Sequence, residues 1–155
     1  MDPHNPVIQL CAAGAQAEFA GNIDQAKALY HQAWNAATDD YEACIAAHYM
    51  ARHQPPEEAF RWNQIALDRA DAVADARVQP FYGSLYVNMG HSYETLGDQA
   101  AAEQYYALAA TFGVVHQRGV VHQKVEPEGE PYFDCNRYTP RPDFLRLLHP
   151  HGEWQ

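Results

Sequence analysis

Small, aromatic and aliphatic positions alternate with polar ones in the same order in three segments, each rich in residues that favour helix. One segment runs through Leu10, Ala13-Gly14, Ala17, Ala20-Gly21-Asn22, Ala26, Tyr30 and Ala33. A second runs through Ala43, Ala46-Ala47, Met50, Ala59, Asn63 and Ala66, with Gln54-Pro55-Pro56 where the others have glycine turns. The clearest runs from Tyr86 through Met89-Gly90, Tyr93, Leu96-Gly97-Asp98, Ala102, Tyr106 and Ala109. Ala26 and Ala59 are 33 residues apart and Ala59 and Ala102 are 43 apart. The third unit therefore follows an insertion of roughly ten residues within Asp71 to Pro80.

Start and stop signals fit helices inside these segments. Asn5-Pro6 is a cap and first turn, and Pro55-Pro56-Glu57-Glu58 puts proline and acids at a helix start. Gly21 and Gly97 suit left-handed helix ends. Tyr30, Trp34, Trp62, Tyr93, Tyr105 and Tyr106 recur at helical spacing, which predicts core packing.

Over residues 7 to 111 this pattern resembles the tetratricopeptide repeat family, in the form of a small stand-alone bacterial-type protein. The resemblance implies an all-α fold, an α-solenoid of about three antiparallel helix pairs. Gly14, Ala47 and Gly90 would let each first helix sit close to its second, whose matching small residues are Ala26, Ala59 and Ala102. Early in the first helix the family commonly has a large aromatic, which here is Leu10, Ala43 and Tyr86 in turn, so the second unit should pack loosely. The family geometry lines the concave surface with Cys11, Ala15, Glu18 and Phe19, then Cys44, His48 and Arg52, then Val87, Asn88, His91 and Glu94. Members that grip a chaperone's C-terminal carboxylate carry Lys, Asn and Arg in this groove. The corresponding places here hold Cys11, Ala15, Ile45, Ser84 and Asn88, which argues against that ligand class.

Composition changes near Phe112-Gly113, giving a repeat domain over 1–112 and a C-terminal extension over 113–155. Val114-Val115-His116-Gln117 and Val120-Val121-His122-Gln123 flank Arg118-Gly119 and read as a short hairpin. Glu126-Pro127-Glu128-Gly129-Glu130-Pro131 reads as a turn or linker. Pro142 to Leu148 reads as a short helix whose Phe144, Leu145, Leu147 and Leu148 would cap the last apolar face. The alternatives are that the extension fills a binding groove, or that it is disordered.

Charge narrows the partners. Ten Lys and Arg stand against twenty Asp and Glu, a net charge of -10, which argues against nucleic acid and anionic membrane surfaces. The start, Met1-Asp2-Pro3-His4-Asn5-Pro6, has no leader pattern, and there is no long apolar run, so the expected address is the cytoplasm. Three cysteines without a C-x-x-C pair suit a reducing compartment.

These features predict a module that binds a protein or peptide through Cys44, His48, Arg52, Asn88, His91 and Glu94, with no cofactor, no metal and no catalysis. Arg52 is the groove cation suited to an acidic group on the partner. The plainer alternative pairs it with a neighbouring acid. Cys44 and His48, four apart on one helix face, together with His91, raise a rival reading as a small enzyme or metal protein. A further alternative is a homo-oligomer with exchanged C-terminal tails. No G-x-G-x-x-G or G-x-x-x-x-G-K-[ST] occurs, which argues against a nucleotide cofactor.

Overall fold

The computed structural model describes residue 2 and residues 4–115, and every regular element among them is helical. The order is α1 (Pro6–Phe19), α2 (Ile23–Ala36), α3 (Asp40–Met50), α4 (Pro56–Ala72), α5 (Tyr82–Thr95) and α6 (Gln99–Thr111). A 3-10 segment, Ala76–Phe81, leads into α5. It occupies the insertion expected before the third unit. The proposed hairpin, the Pro-rich linker and the short capping helix lie wholly or largely outside the described residues.

Local chemistry sets the boundaries. The Asn5 side chain accepts from the amides of Val7 and Ile8, with Pro6 in the first turn. Pro56 opens α4, with Glu57 and Glu58 at its positive end. Asp39 and Asp98 cap α3 and α6 through the amides of Glu42 and Ala101. Gly21 and Gly97 take positive φ values of 82° and 89° after α1 and α5, as their positions predict. After α3 that conformation falls to His53, at φ 57°, where no glycine is available.

Helices pack in sequence-adjacent pairs, α1 on α2, α3 on α4 and α5 on α6. Each pair joins the next through α2 on α3 and α4 on α5, and α1 also meets α3. The second unit is the best buried of the three. Helix α3 buries Tyr41, Ala43, Cys44, Ile45, Ala46, Ala47, Tyr49 and Met50. Ala43, the small residue that suggested loose packing, is itself buried, and Trp34 and Trp62 meet edge to face at 5.0 Å between α2 and α4.

Gly90 lies against the second helix of its own pair, as expected. A Cβ there would stand 2.6 Å from the Tyr106 ring, and one on Gly14 would stand 2.3 Å from the Tyr30 ring. The missing side chain makes room for a ring, while Ala26 and Ala102 are fully buried nearby in sequence.

Candidate functional site

The outer two pairs share one polar device. The Tyr30 hydroxyl donates to Glu18 at 2.7 Å, and the Tyr106 hydroxyl donates to Glu94 at 2.8 Å. Glycine, glutamate and tyrosine thus act together: glycine admits the ring, and the ring delivers its hydroxyl to a carboxylate one helical turn further on. The middle unit has Ala47, Ala51 and Asn63 at the matching positions. Asn63 is buried and donates its Nδ2 to the Ser92 hydroxyl of α5 at 3.0 Å.

Arg52 takes the plainer of its two expected roles. Its Nε donates to Glu18 at 2.9 Å, its Nη2 makes a second bond to the same carboxylate, and the His53 Nε2 stands 3.0 Å from it. Burial works to raise the Glu18 pKa. Bonds and charge from Arg52, with further bonds from Tyr30 and His53, overcome it and hold the carboxyl below its usual value. Burial likewise disfavours the Arg52 charge, and Glu18 more than compensates. A guanidinium held by a fork of two bonds recognises this chain's own acid first.

His48 and Asn88 are brought together, with Asn88 Nδ2 donating to His48 Nδ1 at 3.1 Å, so the ring accepts on that nitrogen as a neutral imidazole. Burial first, and the Arg52 charge second, push the half-buried His48 down to about 4. The Tyr49 ring lies nearly perpendicular to this one, at 5.4 Å between centroids. Glu18 with Arg52 therefore ties α1 to the end of α3, and His48 with Asn88 ties α3 to α5.

Cys44, expected on the groove surface, is instead 1% exposed in a core cluster with Ala47, Leu67, Leu85 and Met89. Burial pushes its thiol up to about 12, and burial also raises Cys11. A neutral, enclosed thiol is a poor nucleophile and a poor metal ligand. Among the described residues no group of three His, Cys, Asp or Glu side chains is placed to hold a metal ion, so Cys44, His48 and His91 are not assembled as a ligand set. His91 is half-buried on α5, and its carbonyl accepts from the Thr95 hydroxyl at 2.9 Å. Phe19, by contrast, is 69% exposed at the end of α1.

The Glu18–Tyr30 and Glu94–Tyr106 bonds are the residues' functions that the sequence reading missed. The available signal was the recurrence of glycine, glutamate four places on and tyrosine twelve beyond that, in both the first and third units. No known family model, curated protein or solved structure matches the chain. Among the described residues no helix is long and apolar enough to cross a membrane.

Proposed function

We propose that the chain is a tetratricopeptide-like α-solenoid that holds a protein or peptide partner along the face shared by its first helices, α1, α3 and α5. The observation that carries this reading is the recurrence of one packing device, Gly14 with Tyr30 and Gly90 with Tyr106, in helix pairs of equal internal spacing. Stacked pairs of this kind offer an extended surface built from one helix of each pair. Because Glu18 already holds Arg52, orientation of a partner's acidic groups rests less on that cation, and affinity rests more on apolar side chains such as Phe19. Buried, unpaired Cys11 and Cys44 suit a reducing compartment, and a cytoplasmic address belongs to the same proposal.

The test is site-specific photocrosslinking in cells of the native host. A photoreactive amino acid at Phe19 or His91 should capture one common protein, whereas the same probe at exposed Gln32 or Glu103 on the second helices should not. Capture that is absent, or equal at all four positions, would overturn the proposed face.

A further inference from the structure

The last three helices carry a second surface made of rings. Phe60 on α4 meets Tyr93 on α5 at 4.9 Å between centroids, and Tyr93 stacks on Tyr105 of α6 at 5.4 Å. Tyr86 stands 6.2 Å from Tyr105 and 5.8 Å from Phe112, and Tyr82 is 5.6 Å from both Tyr86 and Phe112. The six rings form one continuous strip in which none is fully buried, and Phe112 is 45% exposed. No described residue accepts a hydrogen bond from the hydroxyls of Tyr86, Tyr93 or Tyr105. Phe112 is exposed and the other five rings are half-buried, so the strip keeps apolar ring surface that a further segment can cover.

The strip has an acidic margin. Asp71 of α4 accepts from the Tyr82 hydroxyl at 2.8 Å, and Asp68 lies exposed almost one turn earlier on the same helix. Burial raises the Tyr105 phenol, and both carboxylates add to that shift, which puts their charges within reach of the rings. An occupant that suits the strip combines flat apolar groups for the rings with cations for the margin.

The chain supplies such a segment where it leaves the strip. Phe112 is itself one of the six rings, and Val114 lies against Gly83 of α5, where an added Cβ would come within 2.6 Å of the valine methyl. The described residues stop one position later, at Val115, which is 62% exposed. Beyond it lie five of the chain's ten Lys and Arg but only six of its twenty acids. The stretch Arg137-Tyr138-Thr139-Pro140-Arg141-Pro142-Asp143-Phe144-Leu145-Arg146 holds three arginines and two prolines with a single acid. Proline faces and arginine planes both pack on tyrosine rings, and arginine also pairs with carboxylates. Positions 116–136 separate this stretch from Val115, and a chain of that length reaches up to roughly 70 Å when extended. Such a short tether also keeps the local concentration of the segment near its own strip at about the millimolar level.

We infer that residues 137–146 of this chain dock on the strip of Phe60, Tyr82, Tyr86, Tyr93, Tyr105 and Phe112, with their arginines toward Asp68 and Asp71. The inference does not depend on what the first helices bind.

Hydrogen exchange read by mass spectrometry on the full chain tests it, comparing wild type with R137E/R141E and with F112S at two protein concentrations. The tail substitutions change no residue of α1 to α6, and Phe112 lies after α6. In wild type, residues 137–146 and the strip-bearing parts of α5 and α6 should exchange at least about tenfold more slowly than in either variant, with α1 to α3 unchanged. Equal exchange of 137–146 in wild type and R137E/R141E would overturn the inference. So would protection that survives F112S. Protection that disappears on dilution would also overturn it, by assigning the occupant to a second copy.

Discussion

Glu18, in the last turn of α1, and Arg52, two residues past α3, hold each other with only 10% and 12% of their side chains exposed. Removing one member of so enclosed a pair strands the other. Glu18→Ala should cost about 2 to 4 kcal/mol, because it removes the carboxylate that accepts from both the Arg52 guanidinium and the Tyr30 hydroxyl. The double variant Glu18→Leu/Arg52→Met should recover part of that loss. Urea unfolding reads both values, and an unchanged midpoint for Glu18→Ala would show that the pair contributes nothing.

Acid should weaken the fold in two stages. His48 titrates near 4 when folded and near 6.5 when free, so between those values only the unfolded chain takes up this proton. Stability is therefore lost as the pH falls from 6.5 towards 4, by at most about 3 kcal/mol. Glu18, whose pKa is lowered by folding, adds a second loss below its free value of 4.5. His48→Gln keeps an acceptor for Asn88 and should flatten the first stage alone. Unfolding free energies at pH 7, 5.5 and 4.5, which sample the His48 window down to the onset of the Glu18 one, measure it; a slope that persists in His48→Gln belongs to another group.

The glycine contacts predict their own pair of variants. Gly90→Ala and Gly14→Ala each force a tyrosine ring away from a position it holds by a bond to glutamate, at a cost of about 1 to 3 kcal/mol. A melting temperature equal to that of the parent in either variant would mean that the ring yields freely.

Cys11 and Cys44 should resist thiol reagents at pH 8 in the folded protein and label at the rate of unfolding. Peptide mapping after a timed pulse separates them from Cys135. Fast labelling of Cys44 would return it to the surface and reopen a chemical role.

Helix ends were legible because each depends on a residue or two acting locally: Asn5 as a cap, Pro56 as a start, Gly21 and Gly97 as stops. The insertion ahead of α5 was legible from the change in period. The chemistry of the first-helix face was less so, since a repeat pattern says which helix a side chain sits on but not which side chain across the interface reaches it first. Arg52 illustrates the difference, because its partner Glu18 lies 34 positions away. Cys44 does too, as a one-position turn of a helix face separates groove from core. His53 was hidden for another reason: its left-handed backbone has no glycine to announce it, and its ring is beside Glu18.

The middle pair lacks the glycine, glutamate and tyrosine set that closes each outer pair, and its own polar side chains reach outward instead, Arg52 to α1, His48 to α5 and Asn63 to Ser92. It behaves as a keystone. The outer units have their own internal fastenings, while the central one is completed only by both neighbours. The chain should consequently unfold in a single step, and its units are not interchangeable parts. Deleting residues 40–72 to join the outer pairs, or duplicating them to add a further pair, would leave buried polar groups facing the wrong partners.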